Sequence, residues 1–300
     1  KQNEIRQFLA NRTFQEWIER GEWSKITKAI QQEVKENKRI LDDENFKLLL
    51  FAENQKTGRA KYNGILDAYV LLEKYDKEKT LTLESQIEQG YAAEKLGGYK
   101  RAKIYYSRAL KKVPDENIDL ILQLVVELKR LYERTKDHNS LVKIYERAYE
   151  ALKKASRPKK DLRTYAYLIG YHKFFHLKQN KNARIWLLRS DGGGSSIQEV
   201  QAAYWIAKLD QLAKKPEIAL KRLKELSGRK ISKKSALYVQ IHFELGTLYH
   251  LKENWDLALK HYRFAAKARA PEEFKKIQIA AQENAKEIAD YLKSIKAAQG

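Results

Sequence analysis

The stretch that most limits what this chain can fold into is Ile241 to Pro271, IHFELGTLYHLKENWDLALKHYRFAAKARAP. Leu245, Gly246 and Tyr249 fall on one face of a first helix. After a turn at Lys252 to Asn254, Trp255, Ala258, Tyr262 and Ala265 fall on one face of a second. Gly246 and Ala258 have no bulk, so the two helices can approach closely there, while Tyr249 and Tyr262 fill the volume on either side. Two helices this short cannot bury enough apolar surface alone. They require neighbours of the same kind, which a chain of like units supplies.

A second copy begins at Leu81: in LTLESQIEQGYAAEKLGGYKRAKIYYSRALKKVP, Gly90 is followed at fixed offsets by Ala102, Tyr106, Ala109 and Pro114. Gly246 is followed at the same offsets by Ala258, Tyr262 and Ala265, with Pro271 one step later. Weaker copies lie between, around Leu128 and Leu141, Gly170 and Ala183, and Ala207 and Ala219. The small or aliphatic residue opening each second helix falls at 102, 141, 183, 219 and 258, at intervals of 39, 42, 36 and 39. These units resemble the tetratricopeptide repeat, whose usual period is about 34, so longer helices or loops are expected here. The resemblance implies an all-α solenoid of stacked helix-turn-helix repeats forming a right-handed superhelix. Residues 79–271 are expected to be the repeats, residues 1–78 an N-terminal helical segment of degenerate repeats or a cap, and residues 272–300 a C-terminal capping helix. Within 1–78, Phe14, Trp17, Ile18, Trp23, Ile26 and Ile30 outline a helix pair broken near Gly21, and a second pair is broken near Gly58. DGGGSS at 191–196 reads as a flexible loop, with Ser196 and Glu199 able to form a capping box for the next helix.

In such a solenoid the face of each first helix turned away from its partner lines an inner groove. The expected groove residues are Tyr91, Arg130, His172, Phe175, Tyr204, Lys208, Phe243, Thr247 and His250. Apolar anchors alternating with polar and basic groups suit a protein or peptide partner. One version of the family grips acidic chaperone tails through Lys and Asn on these helices. Here the Asn positions hold Tyr91, Arg130, His172, Lys208 and Thr247, so that role is not expected.

The net charge of +21 is uneven: residues 151–250 carry 21 Lys and Arg against 7 Asp and Glu. This block, with KKASRPKK and KELSGRKISKK, offers an alternative function over 151–234, binding nucleic acid, an anionic polymer or an acidic protein surface. No nucleic-acid module accompanies it. No apolar run reaches the roughly 18 to 20 residues of a membrane span. With no cysteine there is no thiolate site or disulfide. His172 and His176 bracket HKFFH, a zinc-compatible i, i+4 spacing without the glutamate of a metalloprotease. The pair is expected to be two polar surface or groove groups, with no metal and no cofactor. No catalytic set stands out, so an enzyme is not expected. The expected function is a non-catalytic scaffold holding a partner within a larger bacterial assembly, such as one at the cell envelope or in motility. The missing start Met and absent Cys favour an exported protein over a cytoplasmic one.

Overall fold

The computed structural model describes residues 14–36, 41–269 and 271–299, and all regular structure among them is helical. No helix among the described residues is long and apolar enough to cross a membrane. Two compact units are present, residues 1–137 and 138–300.

In the first unit, residues 14–19 are helical, Gly21 turns the chain at φ +67°, and α1 (Trp23–Lys35) follows. Next come α2 (Asp43–Asn54), α3 (Gly58–Glu73), the short α4 (Lys77–Thr80), α5 (Leu83–Lys95), α6 (Tyr99–Lys112) and α7 (Ile118–Arg134). The helix breaks expected near Gly21 and Gly58 are both present; α4 has too few residues to show a period in the sequence. Side-chain oxygens of Asp42, Thr82 and Asn117 accept from otherwise orphan amides at the starts of α2, α5 and α7. Ile26, Ile30, Leu49, Ile65, Ala68 and Leu72 form one core here, all nearly inaccessible to solvent.

The second unit contains α8 (His138–Lys154), α9 (Lys159–Phe175), α10 (Asn180–Ser190), α11 (Ile197–Leu212), α12 (Pro216–Ser227), α13 (Ala236–His250) and α14 (Trp255–Ala266). A 3-10 turn (Glu272–Phe274) then leads into α15 (Lys275–Gln299). Ala281, Ala285 and Ile288 of α15 join the core made by Leu223, Leu245, Ala258, Tyr262 and Ala265, covering the apolar side of the last hairpin.

Backbone geometry marks the repeat more sharply than side chains do. Gly97, Lys136, Lys178, Lys214 and Glu253, at the ends of the first helices, all have φ between +52° and +81°. They stand five residues before 102, 141, 183, 219 and 258, so all five units hold the register read from the sequence. In four of them the following amide reaches back five residues: Gly98 to Ala93, Asp137 to Tyr132, Lys215 to Asp210 and Asn254 to Tyr249, at 2.8 to 3.0 Å. This left-handed closure satisfies carbonyls that a helix end leaves free. Only one of the five turn residues is glycine. The other four carry a left-handed strain of about 1 to 2 kcal/mol each, which packing on both sides offsets.

The close approach inferred at the signature glycines is present in both units. A Cβ on Gly90 would sit 2.7 Å from the Tyr106 ring, and one on Gly246 would sit 2.6 Å from the Tyr262 ring. Ala102, Tyr106, Ala109, Tyr249, Ala258, Tyr262 and Ala265 are buried; Pro114 is exposed just beyond α6.

The 191–196 loop is more closely fitted than a flexible spacer. It lies over the Arg163 and Glu199 side chains, and a Cβ on Gly192 would fall 2.1 Å from the guanidinium carbon and 2.4 Å from a carboxylate oxygen. Arg229 donates to the Gly194 carbonyl and pairs with Asp191 at 3.0 Å. The expected capping box is formed, Ser196 accepting from the Glu199 amide and Glu199 from the Ser196 amide. The Ser196 hydroxyl, then Arg163, hold the Glu199 carboxyl below its usual pKa.

Candidate functional site

The first helices of successive repeats, α5 and α7 in one unit and α9, α11 and α13 in the other, present the faces on which the groove residues were expected. Tyr91 is 46% exposed, its ring edge-on to Tyr62 at 5.8 Å with the Lys95 ammonium 5.1 Å from its centroid. Arg130 bonds Glu94 on α5 and Glu127 on its own helix. In the second unit, Phe175 is half-buried and meets the Trp205 ring edge-on at 4.6 Å. Lys208 bonds the Glu244 carboxylate at 2.7 Å, and Gln211 donates to its other oxygen at 3.0 Å. Phe243 leans on Tyr262, and Thr247 donates to the Phe243 carbonyl while accepting from the Tyr262 hydroxyl. His250 packs edge-on to Trp255. Tyr204 and His172 are buried at 4% and 8% exposure, so neither ring is offered to a partner in this conformation. Burial, with Glu244 nearby, raises the Tyr204 hydroxyl pKa.

Ion pairs one repeat apart recur along the chain. Asp43 with Lys79 and Glu94 with Arg130 lie in the first unit. Arg163 with Glu199, Lys208 with Glu244 and Lys252 with Glu217 lie in the second. The partners in each pair are 35 or 36 residues apart. The two pairs exposed on both sides, Asp43 with Lys79 and Lys252 with Glu217, each contribute about 0 to 1 kcal/mol, so their main effect is on the register of neighbouring repeats.

Asp210 differs because its carboxylate is only 4% exposed. One oxygen accepts from Arg184 of α10 at 3.2 Å and the other from Arg222 of α12 at 3.2 Å, which ties two second helices through α11. Asp210→Asn keeps the shape but turns one acceptor into a donor facing a guanidinium. A loss of about 2 kcal/mol is expected, since hydrogen bonds to charged groups are worth about 1.5 to 3 kcal/mol and both arginines retain some hydration. Urea denaturation of the two proteins checks this; equal midpoints would show that Asp210 does not tie these helices.

Sequence reasoning missed part of the aromatic surface. Tyr167, Tyr171, Phe174 and Phe175 on α9 and Trp205 on α11 are all partly exposed and form a continuous set of ring contacts, with centroids 4.6 to 6.0 Å apart. The signal was available, because 167, 171 and 174 follow helical spacing around Gly170.

No protein-family model and no curated protein matches the chain. Among solved structures it is similar to BtubC (BKLC) from P. vanneervenii, at 16% identity and TM-score 0.45, over 75% of this chain and 91% of that one. It is also similar to YrrB, described as a TPR protein with an unusual peptide-binding site, at 16% identity and TM-score 0.44, over 72% and 98% of the two chains. A third likeness is to the Naa15/Naa10 structure bound to HypK-THB, at 16% identity and TM-score 0.49, over 87% of this chain and 39% of that one.

Proposed function

We propose that the chain is a non-catalytic scaffold that holds a partner protein or peptide against the first-helix face of its second unit, within a larger bacterial assembly. The observation that carries this reading is the partly exposed ring set of Tyr167, Tyr171, Phe174, Phe175 and Trp205. Tyr167, Phe174 and Trp205 also pack against the buried core of Ala183, Leu187, Ala202, Ile206 and Leu209, whereas Tyr171 and Phe175 are not among the side chains packed on it and extend the ring set outward. Aromatic side chains of this sort supply anchors worth about 2 kcal/mol or more each in a protein interface, and they lose little conformational entropy on binding. Lys208 on α11 and Glu244, Thr247 and His250 on α13 add polar and basic groups on the first helices of the following repeats.

A photo-crosslinking residue placed at Tyr171 or Phe243 is expected to trap one common partner in the native host. The same residue at Ile185 or Ile218, exposed on second helices at 52% and 45%, is expected not to trap it. Capture only from Ile185 and Ile218 would move the binding surface to the opposite side of the hairpins and end this assignment.

A further inference from the structure

We propose that His138, His172 and His176 form a site for one divalent transition-metal ion, with zinc the best match to the ligand chemistry. His138 is the first residue of α8; His172 lies in the last turn of α9 and His176 directly after it. The turn between α8 and α9 runs the two helices in opposite directions, which brings the start of one beside the end of the other. A ligating nitrogen of each ring lies within 4.8 Å of the other two. The Nδ1 atoms of His138 and His172 are 3.1 Å apart. Two imidazoles bound to one tetrahedral zinc at about 2.0 to 2.1 Å place their nitrogens about 3.3 Å apart, so this pair already approximates one edge of the coordination shell.

The three rings differ in freedom. His172 is buried, with the rings of Tyr145 and Tyr171 at 5.8 and 5.6 Å. His138 is partly buried, and His176 is exposed and stacked on His138 at 3.6 Å with 7° between the planes. Parallel rings cannot both direct lone pairs at one ion. Binding therefore requires the exposed His176 ring to turn out of the stack and an ion to replace the contact between the His138 and His172 nitrogens, with water completing the shell. Imidazole must be neutral to ligate. Burial, then the neighbouring His138 and Lys178, hold the His176 pKa below its usual value.

The same unit contains an internal comparison. His242 and His261 make a similar Nδ1 to Nδ1 contact at 2.9 Å, but the rings around them are Tyr238, Tyr249 and Phe264, and no third nitrogen is among these neighbours. That pair is expected not to bind metal.

The test uses the full chain without a histidine tag, stripped with chelator and titrated with zinc chloride in a calorimeter, with Co2+ as a spectroscopic probe. One equivalent of zinc is expected. His138→Gln, His172→Gln and His176→Gln should each weaken it by about tenfold or more, given that even outer-shell changes cost 10- to 100-fold. His261→Gln should leave it unchanged. The visible absorption of tetrahedral Co2+ should appear with the native chain and disappear in the three variants. His176→Gln alters an exposed ring, so circular dichroism should match the native chain and keep the test independent of folding. No uptake of zinc by the native chain, or unchanged affinity in folded His176→Gln, would overturn the site.

Discussion

Gly246→Leu is expected to destabilise the last hairpin by about 3 kcal/mol, at the upper end of what forcing atoms into a filled core costs. The added Cβ would meet three carbons of the Tyr262 ring at 2.6 to 2.9 Å, and that ring is itself only 2% exposed. Tyr262→Ala should cost about 3 to 5 kcal/mol, as for other buried aromatics truncated to alanine. The informative protein is the double variant. If the glycine is there to admit the ring, leucine at 246 should occupy part of the volume that alanine at 262 vacates. The two losses would then combine to less than their sum by about 1 to 3 kcal/mol. Urea denaturation followed by tryptophan fluorescence reports on this, since Trp255 packs into the same core. Strict additivity would mean that the glycine and the ring are not matched. The same sign is expected for Gly90→Leu against Tyr106 in the first unit, where the distances nearly repeat.

A steep loss of stability below neutral pH is the second large effect. His242 and His261 lie between α13 and α14, in contact through their Nδ1 atoms at 2.9 Å. Burial pushes both down to about 4, helped by His261 in the first case and by Lys260 in the second. The rings of Tyr238, Tyr249 and Phe264 pack against the pair. None of these neighbours is an acid that could compensate a charged imidazolium.

Because the folded pair stays neutral where an unfolded histidine takes up a proton, its contribution is fully present above about pH 6.5. It is lost as pH falls toward 4. For His242 alone, which is 6% exposed, the difference between 6.5 and about 4 corresponds to about 3 kcal/mol. Urea midpoints measured at pH 7.5, 5.5 and 4.5 should fall steeply for the native chain. They should fall less in a His242→Gln, His261→Gln double variant, which keeps polar contacts without a group that titrates here. Parallel curves for the two proteins would show that other groups cause the acid sensitivity.

Much of the hairpin architecture was legible because it is local. Helical spacing and two glycines separated from two tyrosines by the same interval were enough to predict which side chains interlock. The positions of the left-handed turn residues also follow from the register, although Lys136, Lys178, Lys214 and Glu253 carry no sequence sign of that conformation. The 191–196 loop shows the limit of composition. Three glycines suggest flexibility, yet Gly192 and Gly194 are needed because the backbone passes against Arg163 and Glu199.

The candidate site was legible only in outline. Phe243, Thr247 and His250 were placed on the first-helix face by offset, but spacing could not show that Tyr204 on the same face is buried while Trp205 beside it is partly exposed. An i, i+4 pair of histidines was visible in HKFFH, whereas His138, 34 residues earlier, had no sequence link to it.

The sequence by itself determined a chain of α-helical hairpins, their register and the glycine contacts that close them, since each depends on periodicity and on residues within one hairpin. Tertiary structure alone decided which groups one repeat lends to the next: the ion pairs 35 or 36 residues apart, the two arginines on Asp210, and the histidine brought to the end of α9. Those contacts depend on how far each helix rotates and slides as repeats stack. That displacement is set by the packing of many side chains at once, and no single spacing in the sequence encodes it.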